Sequence, residues 1–223
     1  MTNMAVRTRG NAAPAVPEAD DGSDLPLPRR LLRIASRMFA ERGFESTSVQ
    51  EIVAAAGVTK GAMYHYYASK DDLLVQIYHR MLEMQTERLN TIADGSGPVV
   101  DRLREAAADV VVTTLDNLDD AVVYFRSMHL LAPDKQAEIR AERRRYHERF
   151  RALIEAGQAE GLLRSDVSAD IATHNYFGGV HHLNSWFQVD GEMSPRDVGD
   201  AFADLLLHGL APGVDGRPSA PTG

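Results

Sequence analysis

A chain of 223 residues with 44% hydrophobic content is long enough for one or two packed domains. It has no cysteine, which excludes disulfides and thiolate metal sites, and no apolar run of membrane-spanning length or hydrophobic leader core, so a soluble cytoplasmic protein is expected. The net charge of −8 argues at first against a polyanionic partner, but residues 25–70 carry seven Lys or Arg against three Glu, a local +4, while residues 71–223 carry −10.

Residues 1–24 mix Ala, Pro, Gly, Asn and acids with no apolar period and read as a disordered arm. The first helical stretch then carries Leu31, Leu32, Ile34, Ala35, Met38 and Phe39 on one face, with Arg29, Arg30, Arg33 and Arg37 largely outside it. Gly43 ends it in the left-handed conformation that a helix C-terminus favours. Ser48-Val49-Gln50-Glu51 is a capping box that opens a second helix, in which Ile52, Val53 and Ala56 can bury. Gly57 stops that helix, Thr59 caps a third, and Lys60 to Tyr67 form it. Two short helices joined through a glycine turn are the signature of a helix-turn-helix.

That motif carries a chemistry. A helix N-terminus offers free N–H groups to phosphate, and Gly61 lets backbone approach a ligand closely. Lys60 can reach a phosphate or a guanine edge, and Tyr64 and Tyr66 can donate to phosphate while packing on sugars or thymine methyls. Lys70 is placed to clamp flanking backbone, whereas Met63 and Tyr67 read as small-core residues.

Beyond it, helices are expected near 70–93, 98–117, 119–131, 133–160, 169–188 and 195–210. Pro28, Pro98, Pro133 and Pro195 sit where helices begin, and Ser194 is an N-cap for the last. No strand alternation or internal repeat occurs, and a Pro-rich tail from Ala211 reads as disordered.

The runs Phe39-Ala40-Glu41-Arg42-Gly43-Phe44, Thr47-Ser48-Val49, Ala56-Gly57-Val58-Thr59-Lys60-Gly61, Met63-Tyr64-His65-Tyr66-Tyr67 and Ser69-Lys70 closely resemble the TetR family of bacterial repressors. The resemblance implies an all-α homodimer: a three-helix helix-turn-helix DNA-binding domain over 25–70 and a helical ligand-binding and dimerisation domain over 71–210. It implies a palindromic double-stranded DNA operator released when a small molecule binds. By the same resemblance Ser48 and Gln50 face DNA from the second helix and Thr59, Lys60, Gly61, Tyr64, His65 and Tyr66 from the third, with Lys70 on a phosphate. Half-sites are then one helical turn or a multiple apart, and affinity falls steeply with salt.

In the body three stretches stand out. Ile139, Tyr146, Phe150, Leu153 and Gly157 share a face of the 133–160 helix, and Arg143 lies on it. A cation on an apolar stripe is costly unless paired or bound to an anion. Routine ion pairing with Glu138, Glu142 and Glu148 is one reading of this arginine-rich helix, and an anionic ligand is the other. Tyr124, Phe125, Met128 and His129 form an aromatic and adaptable segment suited to a pocket or to a core. His174, Gly178, His181, His182 and Ser185 share a side of the 169–188 stretch, yet no close His pair, carboxylate or Cys joins the histidines, so no metal and no cofactor is expected. Gly178-Gly179 suits close helix approach, and with Val198, Phe202, Leu205, Leu206 and Leu210 it reads as a dimer face.

The layout over 119–210 also looks, more loosely, like TetR-family regulators of fatty-acid or steroid catabolism that bind acyl-CoA thioesters. It rests on the Tyr124 segment, the arginine-rich helix, Glu160-Gly161 ahead of Arg164-Ser165-Asp166, and Trp186. Tyr124, Phe125, Met128, His129, Arg143, Tyr146, Phe150, Asn175 and Trp186 are the candidate ligand residues. An uncharged lipophilic effector is the alternative. A helical enzyme or an adaptor without DNA binding is the competing class, but no nucleophile elbow, phosphate loop or glycine-rich cofactor motif is present.

Overall fold

The computed structural model describes residues 24–212; the arm expected over 1–24 and the tail expected from Ala211 lie, apart from Asp24, Ala211 and Pro212, outside them. Those residues form nine α-helices and no strand. They are α1 Leu27–Arg42, α2 Val49–Ala55, α3 Lys60–Tyr64, α4 Lys70–Ala93, α5 Val99–Asp116, α6 Leu118–Ser127, α7 Pro133–Ala159, α8 Ala169–His181 and α9 Pro195–Gly209.

The helix starts follow from the expected caps. The Ser48, Thr59 and Ser194 side chains each accept a backbone N–H three residues on, at 3.2 Å, and Ser69 does the same at 3.0 Å. Pro28, Pro133 and Pro195 occupy first turns, where a missing N–H costs nothing, and Pro98 stands at the N-cap of α5.

Two helices end earlier than their periodicity predicts. The stretch expected as helix to 131 leaves α6 at Ser127 and tightens into a 3-10 turn over Met128–Leu130. Ala132, which precedes Pro133, is held extended (φ −58°, ψ 146°), so the chain must leave the helix before α7 starts. The stretch expected as helix to 188 stops at His181 and makes a second 3-10 turn at Leu183–Ser185. Gly178 and Gly179 weaken its last turn, and fully buried Leu183 ties the new direction to the core.

The chain builds two hydrophobic cores. One gathers α1 to α3 and the first half of α4, and it takes in Val123 and Tyr124 of α6, Leu131, and Ile139 of α7. The other gathers the end of α4 with α5, α7, α8 and α9. α9 lies tightly along α5: a side chain at Gly199 would meet the Ala108 carbonyl at 2.8 Å. α4 spans both cores, and α6 is fastened to each neighbour by buried polar contacts. Tyr78 of α4 donates to the carbonyls of Val123 (3.1 Å) and Tyr124 (3.0 Å). Asp120 of α6, 4% exposed, accepts from Ser36 of α1 and Arg80 of α4. The helix-turn-helix therefore joins the body through α6 as well as through α4.

Candidate nucleic-acid interface and ligand chamber

The second and third helices form the outer surface of the N-terminal core. Ile52, Val53 and Met63 point inward, while Ser48, Gln50, Thr59, Lys60, Gly61, Tyr64, His65 and Tyr66 are all exposed on one continuous segment. Tyr64 and Tyr66 keep 50% and 47% of their surface in solvent, which a core role does not account for. The His65 and Tyr66 rings brace one another edge-on at 4.9 Å. A side chain at Gly61 would meet nothing nearer than the Thr59 hydroxyl at 3.8 Å, so the fold itself does not require glycine there. Close approach by an outside ligand does. Met63 and Tyr67 are buried, and the Tyr67 hydroxyl donates to the Pro28 carbonyl at 2.9 Å.

Lys70 is placed differently from the sequence expectation. Its Nζ donates to the carbonyls of Phe44 (2.8 Å) and Thr47 (3.0 Å) and sits 4.2 Å from the centre of the Phe44 ring. It ties the start of α4 to the turn after α1, so its ammonium already has acceptors and is not a free phosphate clamp.

In the body a narrow apolar chamber opens into a wide basic mouth. The chamber is walled by Met81, Leu82 and Gln85 of α4, Val110 and Thr114 of α5, Tyr124 and Phe125 of α6, Tyr146 of α7, and Phe177 and Val180 of α8. It encloses about 30 Å³, roughly one water's share of volume. The mouth encloses about 610 Å³ between α7 and α8 and carries Arg140, Arg144 and Arg151. Arg143, His147, Phe177 and His181 line both and mark the throat between them.

The throat has an unusual electrostatic state. Arg143 donates to His181 Nε2 at 3.1 Å, and among the described residues no carboxylate lies within ion-pair distance of it. A guanidinium can only donate, so the accepting imidazole is neutral with its proton on Nδ1. Burial, with the Arg143 charge adding to it, pushes His181 down to about 4. Burial and the same arginine push His147 down to about 3, its ring stacked on Phe177 at 3.9 Å. The α7 arginine is thus a cation whose partner is neutral.

These imidazoles predict a pH dependence of stability. Both bind a proton more readily in the unfolded chain, near the usual 6.5, than in the fold. Their contribution is complete above about pH 6.5 and is lost as pH falls toward 4 and then 3. The urea midpoint should drop across that window, and His147→Phe, which keeps the stack on Phe177, should flatten the drop. An unchanged slope in that variant would refute the assignment.

Of the other residues expected at the ligand, Tyr124, Phe125, Arg143 and Tyr146 come together here. Met128 packs on the N-terminal core from the 3-10 turn, and His129 is exposed in a groove facing the turn after α1. Phe150 is fully buried and stacks on Tyr176, because its step along α7 points into the second core. Asn175 is exposed on α8, and Trp186 is 47% exposed beyond the end of that helix. His147, one turn after Arg143, was legible as a throat residue from its i, i+4 spacing, but the α4 and α5 walls carry no local signal.

The histidines of α8 diverge, His174 toward Asp170 and His181 toward Arg143. A different set approaches one another: His79 of α4 faces Glu142 through Nδ1 (3.0 Å) and Glu138 through Nε2 (3.8 Å). With a carboxylate at each ring nitrogen, this is the geometry of an ion pair between helices. The apolar face expected of α9 is divided. Val198, Leu206 and Leu210 are buried in the chain's own core, Phe202 covers Gly179, and Leu205 (74% exposed) and Ile171 of α8 are left outward. α9 has two apolar sides, and the tight α5 contact takes one of them.

An exposed helix-turn-helix on a basic module, carried by a helical body with a ligand chamber, defines a ligand-responsive DNA-binding regulator. Comparison with known families agrees: residues 31–77 match the model for bacterial regulatory proteins of the tetR family, and residues 96–210 match the tetracyclin repressor-like C-terminal domain. The chain belongs to the TetR family, whose members are dimeric transcriptional regulators rather than enzymes. It is 28% identical over 198 residues to the HTH-type transcriptional repressor KstR2 of Rhodococcus jostii, covering 87% of this chain and 97% of that one. The crystal structure of the TetR regulator PfmR from Thermus thermophilus superposes with a TM-score of 0.76 at 28% identity, covering 82% of this chain and all of the other. AibR, crystallised with isovaleryl coenzyme A and operator DNA, shares the fold with a TM-score of 0.71 at 24% identity, covering 84% and 99%. No helix of the described residues is long and apolar enough to cross a membrane.

Proposed function

We propose that this regulator is a cytoplasmic repressor whose effector is an acyl-CoA thioester, with the acyl group in the chamber and the nucleotide phosphates in the mouth. The observation that carries the reading is Arg143, a cation at the throat hydrogen-bonded to a neutral imidazole. Such a site is completed by an anion that enters beside an apolar group. Arg140 and Arg144 in the mouth supply further positive charge, and no ion pair with a carboxylate engages either among the described residues. The fold holds an acyl-CoA in AibR. Ser48, Gln50, Thr59, Lys60, Gly61, Tyr64, His65 and Tyr66 are the proposed operator-facing residues.

The volumes divide binding from switching. The mouth already has room for a nucleotide, whereas the chamber holds little more than one water and must widen for an acyl chain. Tyr124 and Phe125 of α6 are a wall of that chamber. Moving α6 pulls on α4 through Tyr78 and on α1 through Asp120 and Ser36. A ligand shifts the equilibrium only through its differential affinity for the two states, and the acyl group is what tells them apart.

Fluorescence anisotropy on labelled operator tests this. Acyl-CoAs should release the DNA, while free CoA should bind competitively with them and release little. Release by free CoA as effective as by its thioesters, or release by uncharged lipophiles alone, would overturn the reading.

A further inference from the structure

The inner end of the chamber is not purely hydrocarbon. Tyr124 is 6% exposed, yet its buried hydroxyl makes no hydrogen bond in the protein. A buried, unsatisfied hydroxyl costs on the order of 1–3 kcal/mol, so a natural protein keeps one where something else satisfies it. The nearest cation does not: Arg143 lies over the ring, 6.0 Å from its centre, and donates to His181.

A second polar group lines the same chamber. Gln85 of α4 donates its amide to Thr113 and Thr114 of α5, at 3.2 Å each. The orientation of that amide is fixed by its partners. Both threonine hydroxyls already donate to α5 carbonyls, Thr113 to Asp109 (2.8 Å) and Thr114 to Val110 (2.7 Å). They can only accept from Gln85, which turns its NH₂ toward them and leaves its carbonyl oxygen as a free acceptor.

From these groups we infer that the acyl group bears an oxygen function, a hydroxyl or a ketone, which meets the Tyr124 hydroxyl inside the chamber. The inference rests on the acyl-CoA reading above and narrows its ligand class. A tyrosine hydroxyl donates to a ketone or accepts from an alcohol, and the Gln85 oxygen favours the alcohol further. A plain alkyl chain leaves both polar groups unpaired in a site that the ligand has sealed from water. A site built to hydrogen-bond discriminates strongly against the analogue that lacks the group.

The test is calorimetry on the full-length protein with CoA thioesters of equal carbon number, bearing no oxygen, a hydroxyl or a ketone along the chain. An oxygenated thioester should bind at least tenfold more tightly than the plain one. Tyr124→Phe should erase most of that ratio, and its thermal midpoint should equal or exceed that of the parent, because the lost hydroxyl had no partner to lose. Equal affinities across the set, or a ratio unchanged in Tyr124→Phe, overturn the inference while leaving the acyl-CoA reading in place. A fall in the Tyr124→Phe midpoint also overturns it, by showing the hydroxyl to be partnered within the protein. Failure of every thioester and of CoA to bind overturns the acyl-CoA reading and this inference with it.

Discussion

Lys60→Ala is expected to weaken operator binding by at least about 30-fold, and by over a thousandfold if the side chain reads a base, with no loss of folding stability. A groove or phosphate contact of this kind is worth about 1–3 kcal/mol, and a symmetric dimer loses it twice. Lys60 stands exposed at the first turn of α3, beside Gly61 and ahead of Tyr64. The salt dependence of binding separates its two possible targets. A phosphate contact lowers the slope of log K against log salt by about 1 per site, and a guanine contact instead relaxes sequence preference. Lys70→Ala is the informative contrast, since Lys70 donates to the Phe44 and Thr47 carbonyls. Its loss should lower the thermal midpoint first, with DNA affinity following the unfolded fraction. Unchanged operator binding in a folded Lys60→Ala protein would remove α3 as the reading helix.

Arg143→Ala should cost acyl-CoA binding about 2–3 kcal/mol, roughly 30- to 150-fold in Kd, measured by calorimetry. Arg140→Ala or Arg144→Ala should each cost only a few-fold, because a solvated charge in an open mouth gains about 1 kcal/mol or less from an ion pair. Burial decides the difference: both outer arginines are exposed, whereas Arg143 is half-buried at the throat, against Tyr124 and His181. Operator affinity without effector should be unchanged, since Arg143 touches neither the helix-turn-helix nor the α6 anchors. Tight binding untouched by the substitution would reject the arginine as the anion partner.

How much of this was legible before the structure depends on how local the signal is. The fold class, the turn glycines, the caps at Ser48, Thr59 and Ser194 and the exposed face of α3 follow from residues within one or two helical turns of each other. Such spacing is what a sequence displays directly. Even the tension at Arg143 was visible as a cation on an apolar stripe of α7. The structure supplied what depends on residues far apart in the chain. It gave Lys70 carbonyl partners 23 and 26 residues away, placed Phe150 in the core one turn beyond Tyr146 at the chamber, and ended α8 at His181 where periodicity alone ran on. The chamber gathers residues from five helices, and its Gln85, Thr114 and Tyr124 carry no mark of one another in the sequence. The sequence by itself determined a helix-turn-helix regulator on an acidic helical body, because helix formation and capping are local. Tertiary structure alone decided where the ligand would sit, which arginine lacks an acid, and that α6 ties the chamber to the DNA-reading head, because those are outcomes of packing between distant segments.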